Sequence, residues 1–299
     1  MAIQENWAYL LDPGLRAIFE QQASALAASA KAPLLFNVQR STKAVEYDLG
    51  VGGFGNVPEY KGAIEYDSPS QGFRTAYEHT EYALGFKVER RLVDDDLYNI
   101  INRRPAGLAV SAVRTREEHA ANLFNNAFSS GTGGDGVVLC SDSHPYAPDN
   151  ATTQSNAGGT ALGYDSIIAT RKLMRAYTDD RGKLMPINPD TILVPPELED
   201  TASNLWLAQG KPGVADNDIN YVSRITRRVI VWDYLTDSNN WFMIDSVMAK
   251  QFLMWFDAVP MEIAMDPTSN FDLEARWRLY MRYSLGWSDW RWVYGHSVT

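Results

Sequence analysis

Residues 93–130 read VDDDLYNIINRRPAGLAVSAVRTREEHAANLFNNAFSS and carry the clearest helical pattern in the chain. Apolar residues recur there at intervals of three and four, and Arg114, Arg116, Glu117 and Glu118 form a separate polar section. The apolar positions are Ala106, Ala109, Val110, Val113, Ala120, Phe124, Ala127 and Phe128. Pro105 suits a first helical turn, and the glycines of 131–136 end the pattern. The spacing predicts a helix over 105–129, about 37 Å long at roughly 1.5 Å per residue.

Working outward from this helix, the preceding residues have the texture of strands. Phe73, Thr75 and Tyr77 alternate with residues of the opposite face, and 82–92 continues as a second extended run. Such a two-stranded excursion is marginal by itself, so it requires a partner surface. Further upstream, 6–30 reads as a helix interrupted at Asp12-Pro13-Gly14 and followed by an extended stretch. This segment is either an arm that packs on another molecule or a helix on the chain's own core.

The second half of the chain mixes short helices with short strands. The predicted helices are 165–177, with Asp165 as its cap, and 197–208; the predicted strands are 191–194, 228–232, 241–245, 251–256 and 274–283. There is no strict alternation of strand and helix, which predicts an α+β fold. In the last strand, Trp277, Leu279, Met281 and Tyr283 share one face. The opposite face carries a basic stripe of Arg276, Arg278 and Arg282.

Composition excludes several classes of protein. The 299 residues are 45% hydrophobic and 21% charged, which suits one or two globular domains. The longest apolar runs are strand-sized, and the N-terminus lacks a secretory pattern, so we expect a chain made in a cytoplasm that does not cross a membrane. A lone cysteine forms no internal disulfide. The formal charge of -10 disfavours tight nucleic-acid binding, so any contact with DNA is expected to be weak.

No motif in the sequence combines the groups that catalysis requires. Cys140 and His144 have the spacing of metal ligands, but two further ligands are missing nearby, and a buried small hydrophobe is the favoured reading of Cys140. The glycines of 50–55 and 131–136 lack the strand-to-helix context of nucleotide binding and predict turns. The acidic run 94–96 favours a helix start over a cation site. We therefore predict no enzyme, no cofactor and no metal.

Several long motifs resemble the tailed-phage major capsid family, and within it the major head subunits of Mu-like phages. They are TEYALGFKVERRLVDDDLYNIIN (80–102), RTREEHAANLFNNAF (114–128), DTILVPPELEDTA (190–202), VWDYLTDSNNWFMID (231–245), WFDAVP (255–260) and RYSLGWSDWRWVYGH (282–296). The resemblance implies the Hong Kong ninety-seven type of capsid fold. In that fold, 1–45 would be the N-arm, 46–92 the extended E-loop hairpin, 93–162 with 258–299 the peripheral domain with its long spine helix, and 163–257 the axial domain.

The resemblance also implies a function and partners. Copies of the chain would assemble into pentamers and hexamers and form an icosahedral virion shell around phage double-stranded DNA. The arm begins almost at Met1, so we expect a separate scaffolding protein, with a portal and decoration proteins as further partners. Candidate inter-subunit contacts are Phe73, Tyr77, Arg276, Arg278 and Arg282, although the arginine stripe could equally be solvated. Lys61 and Asn270 are candidates for a crosslink between subunits by position only.

Two other functions stay open at this point. An encapsulin-like compartment would share the fold and hold cargo enzymes instead of a genome. A metal-dependent enzyme that uses the acidic run 94–96 would be a compact monomer or small oligomer, and its stability would depend on the metal.

Overall fold

The computed structural model describes residues 7–95, 99–210, 219–266 and 273–299. The α-helices in these ranges are α1 (Trp7–Ala27), α2 (Ala32–Leu35), α3 (Arg90–Asp94), α4 (Ile100–Asn125), α5 (Tyr164–Met174), α6 (Glu199–Leu207), α7 (Tyr221–Ile225) and α8 (Ser246–Phe252). The strands are β1 (Asn37–Arg40), β2 (Val45–Val51), β3 (Gln71–Glu78), β4 (Thr80–Glu89), β5 (His144–Ala147), β6 (Asn150–Gln154), β7 (Ala157–Gly158), β8 (Thr191–Val194), β9 (Arg228–Val231), β10 (Trp241–Ile244), β11 (Leu253–Met265), β12 (Glu274–Trp287) and β13 (Val293–His296).

The strands form two larger sheets and two hairpins. One sheet has four strands in the order β1-β11-β12-β4, and the other has five in the order β7-β13-β10-β8-β9. Among the described strands, β2 and β3 pair only with each other, as do β5 and β6. Both larger sheets mix parallel and antiparallel neighbours, and the helices are not regular crossovers between parallel strands. The α+β prediction is confirmed.

The helix α4 connects the two halves of the core. Its first half packs with α1 on the inner face of the four-stranded sheet, around Leu108, Ala112 and Trp277. Its second half lies between both sheets, where Phe124 contacts Trp232, Phe242 and Trp292. A third cluster covers the five-stranded sheet with α5, α6 and α7. A single helix of 26 residues, about 39 Å long, therefore holds both sheets together.

The bounds of α4 differ from the prediction at both ends. The helix begins at Ile100, so Pro105 lies in its second turn, and it ends at Asn125 instead of Ser129. Residues 126–130 continue as hydrogen-bonded turns, and Gly131, with a φ of 82°, ends them in the left-handed region. Two side chains also differ from the predicted faces, because Val110 is exposed and Glu117 is buried.

The N-terminal helix is continuous and packs on its own chain. The predicted interruption at Asp12-Pro13-Gly14 is wrong, since α1 runs through Pro13. Trp277 donates an indole N–H to Asp12 Oδ1 at 3.0 Å, and Leu15 and Phe19 are buried against α4 and the four-stranded sheet. Of the two alternatives left open by the sequence, the described part of this segment has the packing of a helix on its own core.

The strand pairing around 73–92 also differs from the prediction. The partner of β3 is β2, whereas β4 pairs with β12 over ten residues in the four-stranded sheet. The predicted extended run 82–92 ends at Glu89, where α3 begins. The excursion from the body is therefore the β2–β3 hairpin with its connecting loop 52–70.

Smaller corrections concern single ends of elements. The cap position of α5 is Gly163, and Asp165 lies in the first turn without capping it. Residues 251–252 belong to α8, so β11 starts at Leu253 and continues to Met265. The last long strand, β12, extends four residues beyond the predicted end, to Trp287.

Candidate assembly interface

The base of the β2–β3 hairpin is fixed to the body by Tyr77. This side chain is 3% exposed, and its ring packs edge-on against Phe256 at 5.1 Å between centroids. Burial raises the pKa of the Tyr77 phenol, and the nearby Asp48 carboxylate raises it further. Tyr77 therefore exposes almost no surface to a neighbour, and its described contacts lie within its own chain. Phe73 lies four residues earlier on the same face of β3 and stays partly exposed.

The remainder of the hairpin exposes a set of large apolar side chains, here called the hairpin patch. Its members are Tyr47, Leu49, Val51, Phe54, Val57, Tyr60, Ile64 and Tyr66. Val57 is 95% exposed and Tyr66 is 92% exposed. Single exposed apolar residues are ordinary on a protein surface, but eight of them on one hairpin mark it as a candidate interaction surface.

The arginine stripe of β12 faces outward, as the alternation predicts. Trp277, Leu279, Met281 and Tyr283 are buried on the inner face. Two of the three arginines lie near carboxylates of the same chain: Arg276 Nη2 is 3.4 Å from Glu274 Oε2, and Arg282 Nη1 is 3.9 Å from Glu81 Oε1.

Arg278 differs from the other two arginines. It is exposed and pairs across the sheet with Gly85, a position where an added Cβ would lie 2.7 Å from the Trp277 carbonyl oxygen. Within the described part of the chain, Arg278 has no carboxylate partner. Among the three arginines of the stripe, Arg278 is therefore the one whose charge is most available to a carboxylate of another molecule.

Comparison with known families identifies the chain. A family model described as phage capsid protein matches residues 73–295, which is most of the sequence. The chain belongs to the phage capsid protein family. No curated protein matches it. The capsid protein thus combines a shell-forming structural role with the exposed hairpin patch described above.

Solved structures show the same fold at low sequence identity. The capsid protein resembles a chain of the capsid of cyanophage P-SCSP1u with a TM-score of 0.58 and 10% identity, covering 89% of this chain and 86% of that one. It resembles a chain of the bacteriophage JBD30 capsid decorated with minor capsid protein trimers, with a TM-score of 0.55, 13% identity, and 68% and 90% coverage. For the capsid of an empty GTA particle the values are 0.52, 16%, and 90% of both chains. The predicted capsid fold is confirmed.

The residues considered for chemistry have structural partners in the capsid protein. Cys140 is buried in the core, as predicted, and burial raises the pKa of its thiol. His144 Nδ1 lies 2.6 Å from Asp135 Oδ2, and its Nε2 lies 3.1 Å from Asn156 Oδ1. In the described residues, no group of three metal-ligating side chains comes together.

Gly131 and Gly136 have positive φ angles and form turns, as predicted. Asp94 and Asp95 were expected at a helix start, but they lie at the end of α3, each 3.7 Å from Arg90 or Arg91 one turn earlier. Asp96 and the crosslink candidate Asn270 lie outside the described residues. No described helix is both long and apolar enough to cross a bilayer.

The sequence did not reveal several side chains that hold separate segments of the capsid protein together. Glu117 caps α2, Arg116 holds Asp257 with two hydrogen bonds, and Arg181 holds Asp67 of the hairpin loop. The turn residues Asp-Asp-Arg-Gly at 179–182 are a recognisable local signal. Their partners are more than one hundred residues away, and no spacing rule points to them.

Proposed function

We propose that this capsid protein is the major head subunit of a tailed phage, with the Hong Kong ninety-seven type of fold in its Mu-like form. Its copies assemble as pentamers and hexamers into an icosahedral shell that encloses double-stranded DNA. The observation that carries this proposal is the hairpin patch on a protein of the capsid family. Apolar surface of that extent on a projecting hairpin is stabilised when a second subunit covers it.

The proposal assigns parts of the chain to roles in the shell. Residues 1–45 act as the N-arm, 46–92 as the E-loop with the β2–β3 hairpin as its projecting part, 93–162 and 258–299 as the peripheral domain, and 163–257 as the axial domain. Phe73 and the outward arginines of β12 contribute contacts between subunits, with Arg278 as the strongest candidate because its charge lacks a partner in the described part of the chain. Many modest contacts repeated by symmetry close into a stable container.

Further partners follow from the same role. A separate scaffolding protein and a portal take part in assembly in the host cytoplasm. A decoration protein is supported by the JBD30 relative, whose capsid is described as decorated with minor capsid protein trimers. The net charge of -10 suits a wall that holds packaged DNA by weak, non-specific contact.

The test is assembly of the chain by itself. The protein is expressed alone, separated by size over a range of concentration and salt, and the largest species are imaged by electron microscopy. We expect closed shells, tubes, or rings of five and six subunits. A monodisperse monomer under all conditions would show that the chain does not assemble by itself, and the same result with the proposed scaffolding protein present would contradict self-assembly as the function.

A further inference from the structure

A tight turn at 178–184 lies beside the hairpin loop, and its own hydrogen bonds hold it in shape. Thr178 and Leu184 form a β-bridge. Within the bridge, Asp179 Oδ1 accepts hydrogen bonds from the backbone N–H of Arg181 at 2.9 Å and of Lys183 at 2.7 Å. Gly182 adopts a φ of 73°, which only glycine takes readily. The turn therefore presents Asp180 and Arg181 on a defined backbone.

Both of these side chains bind the far end of the hairpin. Asp180 accepts hydrogen bonds from the Gly53 N–H at 3.0 Å and from the Ser70 hydroxyl at 3.1 Å, so one carboxylate joins the two ends of the 52–70 loop. Arg181 donates from both terminal nitrogens to the Asp67 carboxylate at 2.6 and 3.2 Å. The Gly55 N–H and the Arg181 guanidinium lower the pKa of Asp67 below its usual value.

The glycines at the start of the loop fit this contact. A Cβ at position 52 would lie 2.3 Å from Asp180 Oδ2 and 2.5 Å from Ser70 Oγ. A Cβ at position 53 would lie 3.2 Å from Asp179 Oδ2. Glycines at positions 52 and 53 thus allow the loop to approach the carboxylates of the 178–184 turn closely. The turn predicted from the glycine cluster of 50–55 does not by itself explain this close approach.

The hairpin is consequently held at two separated points. Its base is fixed by the buried Tyr77 and by Thr75, which lies against Gly134. Its far end is fixed by the 178–184 turn. An isolated two-stranded hairpin is marginally stable and would pivot about a single anchor, whereas two anchors determine the direction in which it projects.

We propose that Asp180 and Arg181 are positioning residues that set the direction of the β2–β3 hairpin before it meets a neighbouring subunit. This inference rests on the proposed function, because the direction of the hairpin determines which part of a second copy the hairpin patch reaches. A repeated angular error between subunits prevents a single closed geometry and leads to open or irregular products.

The first test measures the hairpin in the unassembled subunit. Chymotrypsin cleaves after aromatic residues, and the loop offers Phe54, Tyr60 and Tyr66 as exposed sites. The rate of cleavage at these sites, mapped by mass spectrometry, is compared for the wild type, Asp180→Ala and Arg181→Ala. We expect the rate to rise several-fold in both variants, because proteolysis follows the population of the released loop. Lys183→Ala is the matched control, since this exposed side chain belongs to the same turn and makes no hydrogen bond or ion pair with a described residue.

The second test compares the assembled products of the same variants by electron microscopy. We expect the wild type and Lys183→Ala to form one size of shell, and Asp180→Ala and Arg181→Ala to form mixed sizes, open sheets or tubes. Unchanged cleavage rates in both variants would show that Asp180 and Arg181 do not hold the hairpin loop. Unchanged shells would show that these two residues do not set the direction of the hairpin for assembly. If the wild type itself forms no assemblies, the cleavage rates alone decide whether the turn holds the hairpin.

Discussion

The carboxylate of Glu117, in the middle of α4, accepts hydrogen bonds from the first backbone N–H groups of α2, at 2.9 Å from Lys31 N and 3.0 Å from Ala32 N. Glu117 is buried, and without it these two donors would lose their acceptor. We expect Glu117→Ala to lower the free energy of unfolding by about 2 kcal/mol, the usual cost of leaving buried donors unsatisfied. Denaturant unfolding of the subunit measures this change.

Glu118→Ala is the control for that experiment. Glu118 is exposed and forms a surface pair at 3.7 Å with Arg114 one turn earlier on α4. Its removal should cost no more than about 0.5 kcal/mol. Equal losses in the two variants would show that the removal of any glutamate from this part of α4, and not the loss of the cap on α2, explains the Glu117 effect.

Arg116 fixes α4 to β11. Its guanidinium donates to both oxygens of Asp257 at 2.9 Å and lies over the Trp255 ring at 4.5 Å. Arg116→Lys keeps the charge but loses the planar fork, so we expect a loss of about 2 kcal/mol in the free energy of unfolding. Arg114→Lys, at an exposed position on the same helix, should be neutral in the same unfolding assay. A neutral Arg116→Lys would indicate that the charge alone is sufficient.

We expect His296 to make the stability of the fold depend on pH. Burial lowers the pKa of His296 to about 4. Its Nδ1 accepts the Thr160 backbone N–H at 3.2 Å, and its ring stacks on Trp241 at 4.2 Å, so a proton on Nδ1 would face another donor. The unfolded chain binds this proton near pH 6.5 and the folded chain near pH 4, so this contribution is present above pH 6.5 and is lost as the pH falls towards 4.

The His296→Gln variant isolates that contribution. The free energy of unfolding is measured from pH 4 to pH 7 for the wild type and the variant. The wild type should lose on the order of 2 kcal/mol more than the variant between pH 6.5 and 4. Parallel curves for the two proteins would rule out His296 as the source of the pH dependence.

Local periodicity predicted many of the helices and strands. It did not predict strand pairing where the partner strand is distant in the sequence. The alternation of β12 placed Trp277, Leu279 and Tyr283 inside correctly, because a strand with one buried face records its two faces in its own sequence. The pairing of β4 with β12 instead of β3 joins residues almost two hundred positions apart, and no alternation pattern within either strand contains that information.

The candidate interface was predictable to a similar extent. The outward direction of Arg278 follows from the same alternation. For Arg278 and Arg282, pairing depends on β4, which supplies Glu81 to Arg282 and only Gly85 to Arg278. Glu117 was assigned to a polar face because charged residues are rarely buried without a partner, and its partner is the backbone of a helix 85 residues earlier.

The hairpin patch should be required for assembly and dispensable for folding. Val57→Asp places a charge on a side chain that the isolated subunit leaves 95% exposed. We expect an unchanged thermal midpoint of the subunit and a loss of shells in electron microscopy, because the charge would be buried without a partner at the interface. Val247→Asp makes the same chemical change at an exposed valine of α8 and should still assemble. Normal shells from Val57→Asp would remove the patch from the interface.

Arg278 tests the role of the stripe in assembly. Its guanidinium is exposed beside Gly85, so reversing its charge should leave the unfolding free energy within about 0.5 kcal/mol of the wild type. If a carboxylate of a neighbour binds it, Arg278→Glu places two like charges together and should raise the subunit concentration needed for assembly. Light scattering against subunit concentration at low and high salt measures this. The defect should shrink in high salt, since ions screen an exposed pair, and Arg278→Lys should assemble almost normally. Equal concentration dependence for Arg278→Glu and the wild type at low salt would mean that solvent, and not a neighbour, faces this side chain in the shell.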